Sequence, residues 1–71
     1  MKEFQLASEY IELVKLLKIY RIGQTGGQAK TSITQGLVKV NGVIEFRVRA
    51  KLRAGDIVEI NELKIIVIAG V

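Results

Sequence analysis

The 71-residue sequence predicts an α+β domain, two N-terminal helices packed on a small, mostly antiparallel β-sheet, and three observations predict it. Apolar residues recur at helical spacing from Tyr10 to Leu17, and after Leu37 the apolar period falls to two. Asn41-Gly42 then separates two strand-like runs, the strongest short-range hairpin signal a sequence carries. A domain of this length has one small core, worth roughly 3–5 kcal/mol of net stability, and no room for a deep cleft.

The elements follow in order. Glu3 to Leu6 alternates Phe4 and Leu6 with Glu3 and Gln5 and reads as a short strand. Ser8 is placed to cap the first helix, with Glu9 and Glu12 in its first turn and Lys15 and Lys18 toward its far end, an order that complements the helix dipole. Tyr10, Leu13, Val14 and Leu17 form its apolar face, widened by Ile11 and Leu16. Only a strip through Ser8, Glu12 and Lys15 is left for water, so the helix is covered from two sides.

Gly23, Gly26 and Gly27 surround Gln24-Thr25, a loop that needs positive φ angles or close backbone approach. The second helix, Gly27 to Gln35, has Thr25 as its cap and stops at Gly36. It buries essentially Ala29 and Ile33 and turns Gln28, Lys30, Thr31 and Thr34 outward. Leu37 to Val40 and Val43 to Phe46 make the hairpin. Gly55-Asp56 marks the turn into strand Ile57 to Ile60, and Asn61-Glu62 the turn into Leu63 to Ala69. Phe4, Tyr10, Tyr20 and Phe46 are assigned to the core.

Composition removes whole classes of chemistry. With no cysteine and no histidine, the chain has no disulfide, no thiolate metal site and neither the commonest general base nor the commonest zinc ligand. No metal or other cofactor is expected. Glu9 and Glu12 are the nearest thing to a catalytic carboxylate pair, and the dipole explains them; the glycines lack the Gly-Lys-Ser/Thr of a P-loop. A non-enzyme without a small-molecule substrate is the expectation. Met1-Lys2-Glu3-Phe4 does not read as a signal peptide, and nothing approaches the ~20 apolar residues of a membrane span, so a cytoplasmic protein without a membrane partner is expected.

Charge is more informative. Net charge is +4, yet between Leu13 and Gly55 nine cations face the single anion Glu45. Within Arg47-Val48-Arg49-Ala50-Lys51-Leu52-Arg53 a cation falls on every second residue. Like charges at that spacing repel, and a polyanion is the neighbour that relieves them. Lysine and arginine displace counterions from a phosphate backbone, and arginine adds a planar fork that grips a phosphate or a base edge. The four aromatics are few and scattered, which disfavours a stacking platform for single strands and favours recognition by shape.

Thr25-Gly26-Gly27-Gln28-Ala29-Lys30, the helix end at Gln35-Gly36, Leu37-Val38-Lys39-Val40-Asn41-Gly42 and Gly55-Asp56-Ile57-Val58 together resemble the S-four RNA-binding domain, or alpha-L motif, over about residues 8 to 60. Within that family the chain is most similar to the stand-alone YaaA/YbcJ-like bacterial group. The resemblance implies binding of structured RNA, ribosomal or transfer RNA, in association with the ribosome, by the outer face of the helices and the hairpin. Thr25 and Gln28 match the polar positions opening the second helix, and Lys30 the basic position two residues on.

Two departures remove charge that larger relatives carry: Gly26 stands where many have arginine, and Glu12-Leu13-Val14 where Arg-Leu-Asp is common. Contacts are thereby expected to shift toward Arg47, Arg49 and Lys51. The full expected RNA-binding set is Arg21, Thr25, Gln28, Lys30, Lys39, Arg47, Arg49, Lys51 and Arg53, with the first amides of the Gly26-Gly27 helix as a further phosphate hold. Phe46 to Val48 are expected to continue the hairpin and Arg49 to Arg53 to turn away as a loop. The competing reading is a protein-interaction adaptor on ribosomal or replication machinery that adds a partner strand to an Ile65-Ile66-Val67-Ile68 edge.

Overall fold

Two short strands, two helices and five further strands follow one another in an order that only partly matches the hydrophobic pattern. The computed structural model describes residues 1–22 and 26–70. Its elements are β1 (Lys2–Gln5), β2 (Ile11–Glu12), α1 (Leu13–Ile19), α2 (Gly26–Thr34), β3 (Val38–Val40), β4 (Val43–Ile44), β5 (Lys51–Leu52), β6 (Ile57–Ile60) and β7 (Leu63–Ile68). The α+β class and the mostly antiparallel sheet hold. Both helices at the N-terminal end do not: β1 and β2 precede α1, and α2 lies in mid-chain.

Five strands form one sheet in the order β1-β7-β6-β3-β4, and β2 pairs with β5 in a separate two-stranded piece. Within the large sheet only β1 and β7 run parallel. The apolar run Ile65 to Ile68 is therefore no edge. It is bonded to β1 on one side and β6 on the other, with Ile65 and Val67 fully buried, so the strand-adding surface of the adaptor reading is already occupied.

The hairpin forms as its turn chemistry dictates. Asn41 (φ 53°) and Gly42 (φ 82°) supply the two left-handed residues of a type I′ turn, and Val40 faces Val43 across it. Its second strand is shorter than expected, ending at Ile44. Strand β6 spans the expected residues, and β7 falls one residue short of Ala69. Gly70 follows with its backbone against the Leu6 carbonyl oxygen, where a Cβ would collide, so only glycine fits.

The first helix begins five residues after Ser8, which donates instead to the Tyr10 carbonyl (3.1 Å). Ile11 and Glu12 suit a strand as well as a helix, and pairing with Leu52 and Lys51 decides the matter. Glu12 becomes the N-cap residue without a side-chain capping bond, so no acid lies in the first turn; Lys18 does lie in the last. The first helical amides are satisfied from elsewhere in the chain: Leu13 N–H donates to the Ala50 carbonyl (2.9 Å) and Val14 N–H to that of Val48 (3.1 Å).

Leu13, Leu16 and Leu17 of α1, Ala29 and Ile33 of α2, and the inward residues of the sheet form one core. Each fully buried leucine or isoleucine contributes about 1.5–3 kcal/mol of transfer free energy. Phe4 and Tyr20 meet edge to face at its margin, centroids 6.5 Å apart, and the Tyr20 hydroxyl donates to the Glu3 carbonyl (3.1 Å). Tyr10 and Phe46, expected inside, are 36% and 59% exposed. Their positions near the cation segment leave the core to aliphatic residues.

Both helices close with the same pair of bonds, the amide of C″ to the carbonyl of C3 and that of C′ to C2. In α2 the left-handed C′ residue is Gly36 (φ 78°), as the sequence suggests. In α1 it is Arg21 (φ 56°), with Ile22 N–H bonded to Leu17 and Arg21 N–H to Lys18. A long side chain in that conformation carries a steric cost of roughly 1–2 kcal/mol.

Candidate functional site

The cation segment is not one strand. After β4 the chain runs irregularly through Glu45 to Arg47, turns at Val48 and Arg49 with Ala50 N–H on the Arg47 carbonyl (3.2 Å), and then forms β5. The expectation that Phe46 to Val48 continue the hairpin fails, and so does a wholly irregular path from Arg49 to Arg53. Yet alternation survives in burial: Ala50 and Leu52 are buried while Arg47, Arg49, Lys51 and Arg53 are exposed. The apolar residues dock the segment against α1, and that forces the cations outward.

The result is a depression of about 480 Å³ lined by Arg47, Arg49, Lys51 and Arg53 around Ala50. Two local devices hold its ends. The Asp56 carboxylate accepts from Arg53 N–H (2.8 Å) and from the Asn41 side-chain amide (3.0 Å), while Asn41 Oδ1 accepts from Ile57 N–H (2.9 Å). This ties the tip of the β3–β4 hairpin to the turn that follows the cations. At the other end Glu45 accepts two bonds from the Arg47 guanidinium, at 3.0 and 3.1 Å, and one from its amide at 3.0 Å.

The four cations are consequently not equivalent. The Arg47 side-chain bonds, then its amide and its charge, hold the Glu45 carboxyl below the usual range against the opposing effect of burial, and the same pair pushes Arg47 further up. Arg47 thus begins partly neutralised. Lys51 Nζ and Arg53 Cζ lie 5.0 and 5.8 Å from the centroid of the Tyr10 ring, within cation–π range. The Arg49 guanidinium has no acidic partner among the described residues.

The remaining expected residues lie elsewhere. Arg21 is exposed at the end of α1, and Gln28 and Lys30 are exposed on α2; none of the three lines the depression. Thr31 and Thr34 turn their hydroxyls back to carbonyls of the same helix, those of Gly27 (2.8 Å) and Thr31 (3.2 Å), which reduces what they offer a ligand. Lys39 sits in register with Glu59 on the sheet. Thr25, expected both as cap and as contact, lies outside the described residues, as do the other residues of the loop at Gly23 and Gln24. Tyr10 is the neighbour that the sequence does not reveal, because its proximity to Lys51 and Arg53 depends on the β2–β5 pairing.

Among the described residues no group of three acidic side chains forms a metal cage, and no helix is long and apolar enough to cross a membrane.

Comparison with known proteins meets this geometry. The chain is 42% identical over 59 residues to YbcJ of Escherichia coli (strain K12), whose name marks it as a candidate RNA-binding protein; the match covers 82% of this chain and 84% of that one. YbcJ of Shigella flexneri matches to the same extent. The solution structure of YbcJ from E. coli, described as revealing an alfaL motif involved in RNA-binding, superposes with a TM-score of 0.72 at 38% identity, covering 97% of this chain and 89% of that one. Residues 4–68 match the model of the S4 domain, and with that span and these relatives the chain belongs to the S4 domain family.

Proposed function

We propose that this protein is a non-enzymatic, cytoplasmic RNA-binding module for structured RNA, ribosomal or transfer RNA, and that its partner is held at the depression ringed by Arg47, Arg49, Lys51 and Arg53. The observation that carries the reading is this group of exposed cations, set around a buried alanine in a chain of the S4 domain family. The relatives' descriptions as RNA-binding support the same ligand class. Lys30, Arg21, Gln28, Thr25 and Lys39 extend the contact along the helices and the hairpin. The amides of Gly26 and Gly27 add a phosphate hold at the start of α2.

The chemistry is electrostatic. Each phosphate neutralised releases counterions, so four contacts predict an affinity loss of roughly a hundredfold between ~50 and ~200 mM salt. The test is a filter-binding or fluorescence titration with an rRNA hairpin and a tRNA. Because Glu45 already engages Arg47, the informative variant is Arg49→Glu with Lys51→Glu. We expect it to keep the circular dichroism of the parent, bind roughly 100-fold more weakly and show a salt slope shallower by about two. Salt-insensitive binding, or parental affinity in that variant, would overturn the reading.

A further inference from the structure

The Tyr10 ring stands beside the cation-lined depression, and phosphate neutralisation leaves it without a role. It is 36% exposed, and its place is fixed rather than incidental. The residue after it enters the β2–β5 pair, with Ile11 opposite Leu52 and Glu12 opposite Lys51, and the Ser8 hydroxyl holds its carbonyl. The two cations within range of its ring, Lys51 and Arg53, are also two walls of the depression. The other exposed aromatic is differently placed: Phe46 packs over Gly36, where a Cβ would lie 3.2 Å from its ring, and no cation–π contact engages it among the described residues.

An aromatic face with two cations over it is suited to an unpaired nucleotide. The ring stacks on the base, whose π-face is common to all four bases, while the cations take the adjoining phosphate. Lys51 and Arg53 keep the tyrosine at the rim before any ligand arrives. As the phosphate draws them off, the face they cover passes to the base, so one set of charges prepares and then releases the stacking surface. A fully paired helix has no base to offer such a ring.

Resting on the RNA reading above, we infer that Tyr10 is a nucleobase-stacking residue and that the RNA recognised carries an unpaired base next to the phosphates held by Lys51 and Arg53. This narrows the ligand from folded RNA in general to folded RNA interrupted by a bulge or an extruded base.

The experiment uses two RNA hairpins of one sequence, one fully paired and one with a single bulged 2-aminopurine, against the parent protein and its Tyr10→Phe, Tyr10→Leu and Tyr10→Ala variants. The parent and Tyr10→Phe should bind the bulged hairpin about tenfold more tightly than the Leu and Ala variants do and should quench its fluorescence. All four proteins should bind the paired hairpin alike. Tyr10→Leu keeps apolar volume at the site and guards against a fold defect, which circular dichroism of each variant also monitors. Equal affinity of all four for the bulged hairpin, or quenching that does not depend on the ring, would overturn the stacking role while leaving salt-dependent binding intact. Absence of salt-dependent binding to both hairpins would overturn the RNA reading and the stacking role together.

Discussion

The five-stranded sheet and the corner that carries the cations are built on opposite principles. In the sheet, β6 and β7 are bonded along both sides and bury the alternate residues Val58, Ile60, Ile65 and Val67. At the corner, β2 and β5 are two residues each, and the chain on either side of β5 is shaped by single contacts: the Glu45–Arg47 pair and two amides of α1 before it, and the Asp56 carboxylate after it. The first region supplies stability and the second places charge. Because Ala50 and Leu52 carry the corner's share of the core, its exposed cations can change without removing buried contacts.

Breaking the sheet side should have the largest effect. Ile65→Ala removes a fully buried side chain from the strand between β1 and β6, and a loss of about 2–5 kcal/mol is expected in urea unfolding. For a domain of about 3–5 kcal/mol that leaves much of the protein unfolded. RNA affinity should then fall only in proportion to the folded fraction.

An intermediate effect is expected where the two regions are tied. Asp56→Ala takes the acceptor from Arg53 N–H and from the Asn41 amide, costing about 1–2 kcal/mol. Asp56→Asn, which keeps one oxygen, should cost less. With Arg53 no longer held, RNA binding should weaken several-fold at unchanged helix content, a separation that titration and circular dichroism on one sample will measure.

The smallest change in stability, with a gain of function, belongs to Glu45→Gln. Arg47 loses its partner and becomes available, so RNA affinity should rise a few-fold. The pH dependence has a defined sign. The Glu45 carboxyl is held below its usual range in the folded protein, so the contribution of the pair is present above the ordinary glutamate range and is lost as pH falls through the lowered value. The stability difference between parent and Glu45→Gln should therefore be present at neutral pH and vanish in acid; a difference that grows in acid would contradict the assignment.

These contrasts also explain what the sequence made legible. Asn41-Gly42, Gly36 and Gly55 have left-handed backbones that their residue types announce, and the strands around them followed. Ala29 and Ile33 were readable as the buried side of α2 because nothing else on that helix is apolar enough. Ser8 misled because Tyr10-Ile11-Glu12 fits two periods, and the choice between them is made by Lys51 and Leu52, some forty residues away. The same long-range pairing brings Tyr10 to Lys51 and Arg53. Arg21 was foreseen as a cation but not as the left-handed residue of a helix end, since propensity reserves that place for glycine. The alternation of cations was visible, whereas its cause, the docking of Ala50 and Leu52, was not.

The bonds from Leu13 and Val14 to the Ala50 and Val48 carbonyls have a kinetic consequence. Amides in the first turn of a helix ordinarily exchange their protons with solvent at once, having no carbonyl four residues back. These two are sheltered by another part of the chain, so their exchange is governed by how often the 48–50 segment lifts from α1 and not by unwinding of the helix. Two backbone protons thus clock the opening of the cation corner, and a ligand that bridges its arginines would slow that clock.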